Sequence, residues 1–473
     1  MVITKLEQPD VPGSVATGLP TESDQAPIAG VTFEAFAVPL EHDPFTNDWQ
    51  QEIANTTLAQ AQGKISGTSS SRSGVTNGDG EIRWQTGVDG AQGDNLAAGL
   101  WLIRETNTPA GVVAAGDFIV AVPLTHPTDR TSWLDTIYVY PKNKVIEGSK
   151  TVENLESFVV GDTVTWDIVI DNPSPQDSAG NIVPADLLRV VDVIEDAYLT
   201  TQADGSGVNV VGPKGMVRNT DYTVTVVPNA GKTTITINFT AGGLTKISQA
   251  PTESVHVTLA TKIEQSGVIE NSAQFFSSEN QSDPKDIPGT SMKYGDYALV
   301  KQSEGGPAGV SLAGAEFMVF VSEADALAAM DGDQEALDRV VKPNVAVPGY
   351  DQDRGVWATN DDGRVDITGL RYSGFANGES FGDDDPRFVT YWLVETKGLD
   401  DHQLLAEPMS FLVNEDSATQ SEQIIVNQYD RGGFVLPLTG GAGTLLLTIA
   451  GLALLATVLV IARRRQNATA AGE

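Results

Sequence analysis

The chain has 473 residues, room for about three domains, with 29 Lys+Arg against 63 Asp+Glu and no Cys. A formal net charge of −34 argues against a nucleic-acid partner. Without Cys there are no disulfides, Cys-ligated zinc, iron–sulfur clusters or thiol catalysis.

The start, Ile3-Thr4-Lys5, reads as a strand. It lacks the basic and apolar regions of an export signal, so the true N-terminus is expected upstream. The first block continues with a strand at Val31-Thr32-Phe33, a helical patch at about 48–62, a turn at Asn77-Gly78-Asp79-Gly80 and a strand through Trp101-Leu102-Ile103-Arg104-Glu105-Thr106. It closes on Trp133-Leu134-Asp135-Thr136-Ile137-Tyr138-Val139-Tyr140-Pro141-Lys142. The middle block alternates clearly, with strands predicted at 164–170, 222–226, 234–239 and 255–259. A Pro-containing polar stretch at 283–289 predicts a linker. The third block repeats the first in order and spacing: Leu299-Val300-Lys301, Ala315-Glu316-Phe317, a helical patch at about 323–341, a turn at Asn360-Asp361-Asp362-Gly363, then Tyr391-Trp392-Leu393-Val394-Glu395-Thr396. The acidic turns do not match a calcium-binding EF-hand loop, and the four His have no metal spacing, so no metal or cofactor is expected. The last residues run Leu436-Pro437-Leu438-Thr439-Gly440, an uncharged apolar stretch at 442–462 and Arg463-Arg464-Arg465. The apolar stretch is long enough for a membrane helix, with the arginines on the cytoplasmic side.

Each block has a Lys in an early apolar strand, an acid in a later one and an Asn in the last. In the third block these are Lys301, Glu395 and Asn427. Alternation places Tyr391, Leu393 and Glu395 on one face, so a core-facing Leu393 buries Glu395. A buried carboxylate must be protonated or paired, and a Lys opposite it loses its charge by desolvation. A neutral amine beside an Asn amide polarised by a carboxyl group is set to attack, expel ammonia and leave an amide. The ordinary reading of one such trio is a solvated Lys, an edge Glu and a turn Asn. Recurrence in three blocks favours the chemistry.

The C-terminal motif, apolar span and basic tail resemble the cell-wall sorting signal of Gram-positive surface proteins. Tyr391–Thr396 resembles the E-box, and Trp133–Lys142 the pilin motif, of the major (shaft) pilins of Gram-positive sortase-assembled pili; Ile137 replaces the motif's first Val. The resemblance implies an all-β chain of three tandem immunoglobulin-like (CNA-A/CNA-B-type) β-sandwich domains plus a C-terminal transmembrane sorting helix. The boundaries are 1–143, 144–288, 289–430 and a sorting signal at 431–473. It implies sortase cleavage between Thr439 and Gly440, within a signal that includes Leu436 and Pro437. The thereby activated Thr439 is joined to Lys142 of another subunit. It implies internal isopeptide bonds Lys301–Asn427 promoted by Glu395, Lys150–Asn271 by Asp192 and Lys5–Asn143 by Glu105. Lys144 competes with Lys150. The implied partners are identical subunits, pilus-specific and housekeeping sortases, peptidoglycan, tip or base pilins and an unnamed receptor. The resemblance thus implies a sortase substrate and not an enzyme. The alternative is a wall-anchored adhesin or minor pilin.

Overall fold

The computed structural model describes residues 1–9, 16–87, 91–177, 180–304, 312–417 and 423–429. The chain is mostly antiparallel sheet with a few short helices. The sorting-signal residues Leu436, Pro437, Thr439 and Gly440, and the stretch expected to form a membrane helix, lie outside the described residues. Among the described residues no helix is long and apolar enough to cross a membrane.

In the first part of the chain, the strands Arg72–Val75, Thr32–Val38, Gly99–Asn107 and Phe118–Val122 form one antiparallel sheet in that order. Facing it are two short ladders. Val2–Thr4 runs parallel to Tyr138–Val139, and Leu6–Glu7 runs parallel to Lys142–Val145. Phe33, Ala35, Ile82, Trp84 and Ile103 fill the space between. Thr32–Val38 also carries Phe36 and Val38 on its other face, and that face needs a cover. The helices Asn47–Asn55 and Leu58–Lys64 supply it through Ala61. The predicted patch is thus two helices, because Thr57 forms a capping box with Gln60 and starts a second one.

The middle part is a two-sheet sandwich, and all four of its predicted strands are present. Thr163–Ile170 shows why: Val164, Trp166, Ile168 and Ile170 are buried while their neighbours are not. Gly148–Val152, Thr163–Ile170 and Val255–Ile263 lie in one sheet. Lys232–Phe239, Arg189–Glu195 and Gly267–Phe276 lie in the other. A helix at Ala241–Ser248, which the sequence reading did not include, packs Leu244 and Ile247 into the core.

The stretch read as a linker is instead part of one strand, Lys285–Glu304. Its first half pairs with Gly267–Phe276 and its second half with Arg364–Arg371. Pro288 and Gly289 fall in a bulge: Asn271 pairs with Thr290 and Ala273 with Ile287, so the Pro, which lacks an N–H, donates to no ladder. The third part repeats the first. Its second sheet contains Val356–Ala358, Glu316–Phe320, Tyr391–Lys397 and Met409–Phe411. Short helices Glu323–Met330 and Gln334–Asp338 cover the outer face at Phe320 and Val394.

Neighbouring parts touch through backbone. The Arg371 N–H donates to the Phe158 carbonyl at 2.8 Å, and Val160 N–H to the Gly369 carbonyl at 2.8 Å. Thr108 N–H donates to the Asn280 carbonyl at 3.1 Å.

Candidate functional site: three buried lysine–acid–asparagine clusters

Lys5, Lys150 and Lys301 are buried, as are Glu105, Asp192, Glu395, Asn143, Asn271 and Asn427. Hydrogen bonds join all three residues in the first and third trios, and Lys150 with Asp192 in the middle one.

In the third cluster Lys301 lies on the strand that runs parallel to Gln423–Gln428, which carries Asn427. Lys301 Nζ is 2.8 Å from Glu395 Oε1 and 2.5 Å from Asn427 Oδ1. Asn427 Nδ2 donates to Glu395 Oε1 at 2.9 Å and to Oε2 at 3.0 Å. The amine therefore faces the amide, and the carboxyl group touches both amine and leaving nitrogen. Leu393 and Glu395 are both buried, as alternation required.

The first cluster has the same plan. Lys5 Nζ donates to Glu105 Oε1, and Asn143 Nδ2 donates to Glu105 Oε2 at 2.9 Å. Asn143 Oδ1 is buried without a hydrogen bond. Glu105 pairs across the sheet with Phe33, and Glu395 with Phe317, in both cases next to a register shift. The lysine nitrogens lie 5.5 and 5.6 Å from those two rings.

The middle cluster is built differently. Lys150 and Asp192 come from opposite sheets and form an ion pair. Asp192 pairs with Ala273, two residues from Asn271 on the same strand face. Neither amide atom of Asn271 has a hydrogen bond. Trp166 supplies the ring, 5.4 Å from Lys150 Nζ. Lys144, the competing amine, reaches the Ser174 carbonyl at 3.5 Å instead.

Burial drives the electrostatics. It pushes all three amines below the ordinary lysine range, against the attraction of their carboxylates. Burial likewise pushes the Asp192 carboxyl up, against the pull of Lys150. Both shifts favour a neutral amine beside a protonated acid.

Lys142 is half-buried on the same strand as Asn143, whose side chain points into the core. Among the described residues it makes no ion pair. Trp133, at the start of its motif, is 42% exposed. Thr439 lies outside the described residues, so the structure does not join it to Lys142.

Sequence reasoning missed what fixes the lysine backbones. The Asn77 side chain accepts from the N–H groups of Asp79 and Glu81, and Asn360 from those of Asp362 and Arg364. Lys5 N–H then donates to the Gly80 carbonyl at 2.8 Å, and Lys301 N–H to the Gly363 carbonyl at 2.7 Å. A Cβ on Gly80 would stand 2.5 Å from the Lys5 carbonyl, and on Gly363 2.6 Å from that of Lys301. The repeated Asn…Gly turns were the available signal, read there only as turns.

Comparisons with known proteins agree at both ends of the chain. Residues 10–144 match the family of the Gram-positive pilin subunit D1, N-terminal domain. Residues 432–468 match the LPXTG cell wall anchor motif. The chain is 29% identical to the fimbrial subunit type 1 of Actinomyces viscosus, over 98% of this chain and 89% of that one. The full-length major pilin SpaD of Corynebacterium diphtheriae has a similar fold, with TM-score 0.58 and 22% identity over 92% of this chain and 97% of that one. So has the major pilin SpaA of the same organism, with TM-score 0.56 and 19% identity over 90% of this chain and 99% of that one.

Proposed function

We infer that this chain is a Gram-positive major pilin, a structural subunit of a cell-wall-anchored surface pilus and not an enzyme, and that it is assembled as follows. Sortase opens the bond between Thr439 and Gly440, and the Thr439 carbonyl is passed to Lys142 Nζ of the next subunit. Repetition gives a covalent head-to-tail fibre, and the last transfer joins it to peptidoglycan. Until cleavage, the apolar stretch at 442–462 holds the subunit in the membrane. Lys142 suits the task because it is half-buried and unpaired among the described residues.

Each of the three domains, at about 1–143, 144–288 and 289–430, closes itself with one isopeptide bond. The geometry of Lys301, Glu395 and Asn427 is the observation that carries this reading. A proton passes from the Lys301 ammonium to Glu395, leaving a neutral amine. Nζ attacks the Asn427 amide carbon, whose Nδ2 is hydrogen-bonded to the acid. The new Nζ–Cγ bond forms, the Cγ–Nδ2 bond breaks, and Glu395 relays the amine's proton to the leaving nitrogen. One ammonia is released per bond. Burial excludes water and holds the reactants in contact. Glu105 serves Lys5–Asn143 in the same way, and Asp192 serves Lys150–Asn271. The Lys5–Asn143 bond would also fix the backbone next to Lys142.

A Lys142→Arg substitution tests the polymerisation claim in cells making the full chain. The ladder of covalent polymer is expected to disappear while folded monomer persists. Polymer at the normal level would refute the assignment.

A further inference from the structure

In two of the clusters the acid is aimed by the loop that follows it. The Leu405 N–H, ten residues after Glu395, donates to its Oε2 at 2.9 Å. The Ala115 N–H, ten residues after Glu105, donates to its Oε2 at 3.2 Å. Each loop lies over the reaction site, and a loop that opens would misdirect the carboxyl group and admit water.

The first loop is held shut by the neighbouring domain. Thr108 N–H donates to the Asn280 carbonyl, and Asn280 Nδ2 donates to the Glu105 carbonyl at 3.0 Å. The third loop sits beside the last described strand, and among the described residues no further domain covers it. It carries a different closure. Ser303 Oγ and His402 Nε2 are 2.6 Å apart, and His402 Nδ1 is 2.6 Å from the Asp400 carbonyl. A carbonyl only accepts, so Nδ1 carries the proton; in the neutral ring Nε2 then accepts from the Ser303 hydroxyl. Ser303 is two residues from Lys301 on the same strand and stands opposite Asn427. The His402 ring meets the Tyr429 ring edge-on at 5.3 Å, and Gln403 N–H donates to the Gln428 carbonyl at 3.0 Å. Asp401, just before the histidine, turns the chain at φ 59°, a left-handed conformation that Asp adopts more readily than most residues. At the base of the loop, a Cβ on Gly398 would come 3.4 Å from the His402 carbonyl and 3.6 Å from Asn427 Nδ2, so the loop passes directly over the leaving nitrogen.

We propose that Ser303 and His402 are positioning residues for the third domain's cross-linking reaction: their hydrogen bond latches residues 398–405 over Glu395 and Asn427, as the second domain does for the first. This rests on the isopeptide reading above. Neither residue touches the reacting atoms. They act through Leu405, whose N–H aims the acid that relays the protons.

The test follows ammonia loss at the Lys301–Asn427 pair by mass spectrometry of proteolytic fragments, taken at intervals from newly made full-length chain. Ser303→Ala and His402→Ala are expected to slow this bond by about tenfold or more. The Lys150–Asn271 bond of the same molecules should form at its usual rate, which also reports that the chain folds. His402→Gln, whose amide oxygen accepts from Ser303, should restore much of the rate, and a merely space-filling role would not predict this. Wild-type rates in both alanine variants would overturn the proposal. So would equal slowing of His402→Ala and His402→Gln. If the unaltered chain never loses ammonia at Lys301–Asn427, while Lys150–Asn271 does, the parent reading fails for this domain and the latch falls with it.

Discussion

Burial of Lys301 is what its proposed cross-linking chemistry rests on. Removed from water, its amine loses the solvation that keeps lysine charged, and the adjacent Glu395 gives the proton somewhere to go. Replacing Glu395 by Gln keeps the shape and removes the relay. The Lys301–Asn427 bond should then fail to form and the fragment containing it should retain its ammonia; normal loss would count against the acid's role. The middle cluster makes a pH prediction. Bond formation needs one proton on the pair, carried by Asp192. Burial lowers the Lys150 pKa and raises that of Asp192, so both shifts favour placing the single proton on the acid and leaving the amine neutral. Adding a second proton charges the amine, and removing the last one abolishes the acid. The rate of ammonia loss from the fragment holding Lys150 and Asn271 should therefore be bell-shaped in pH, falling on both sides of the range where the pair holds one proton. A rate rising steadily with pH would show that the amine alone controls the step. Glu395 was legible in the sequence because Leu393 fixed its face. Lys150 was not separable from Lys144, since both lie in short polar-flanked strands, and the choice depends on which one meets Asp192 across the sandwich.

At the scale of elements, the donor lysine is held by a turn from a distant hairpin. Gly363 is at φ 77° and packs against the Lys301 carbonyl. A Gly363→Val substitution combines a disfavoured backbone with a clash against main chain. It should cost about 2–4 kcal/mol and slow the third domain's bond. Chemical denaturation measures the first effect and fragment mass the second; an unchanged midpoint would show that the turn is free to shift. The strands were legible wherever one face was wet, as in Thr163–Ile170. The turn's partner was not, because no local pattern links residue 363 to residue 301. The same holds for Ser303 and His402, which meet only through the fold. Pro288-Gly289 misled for a physical reason: a bulge tolerates the residues that a linker favours.

For the whole molecule, the proposed bonds define where tension runs. A fibre loaded through Lys142 and Thr439 pulls on residues 142–150, crosses to Asn271, follows 271–301 and crosses again to Asn427. The segment 151–270 is enclosed by the Lys150–Asn271 bond, and most of the first domain lies outside the path altogether. An Asn271→Ala subunit should therefore lengthen under force by roughly 400 Å when its middle domain unfolds, at about 3.3–3.6 Å per residue. Asn143→Ala should add no such step although it removes a bond. Single-molecule stretching between Lys142 and the C-terminal end separates the two cases, and equal steps from both variants would mean that force takes another route. Closing such loops also restricts the unfolded chain. By analogy with a cross-link closing a loop of about 100 residues, each bond is worth about 4–5 kcal/mol.

The most direct test is the intact mass of the folded full-length chain. Each internal bond removes one ammonia, about 17 Da, because the amine displaces the amide nitrogen. The residues of all three trios are buried, so a deficit of three such units, about 51 Da, is expected. A mass equal to that of the unmodified sequence would contradict self-cross-linking and leave only the joining chemistry of Lys142 and the sorting signal.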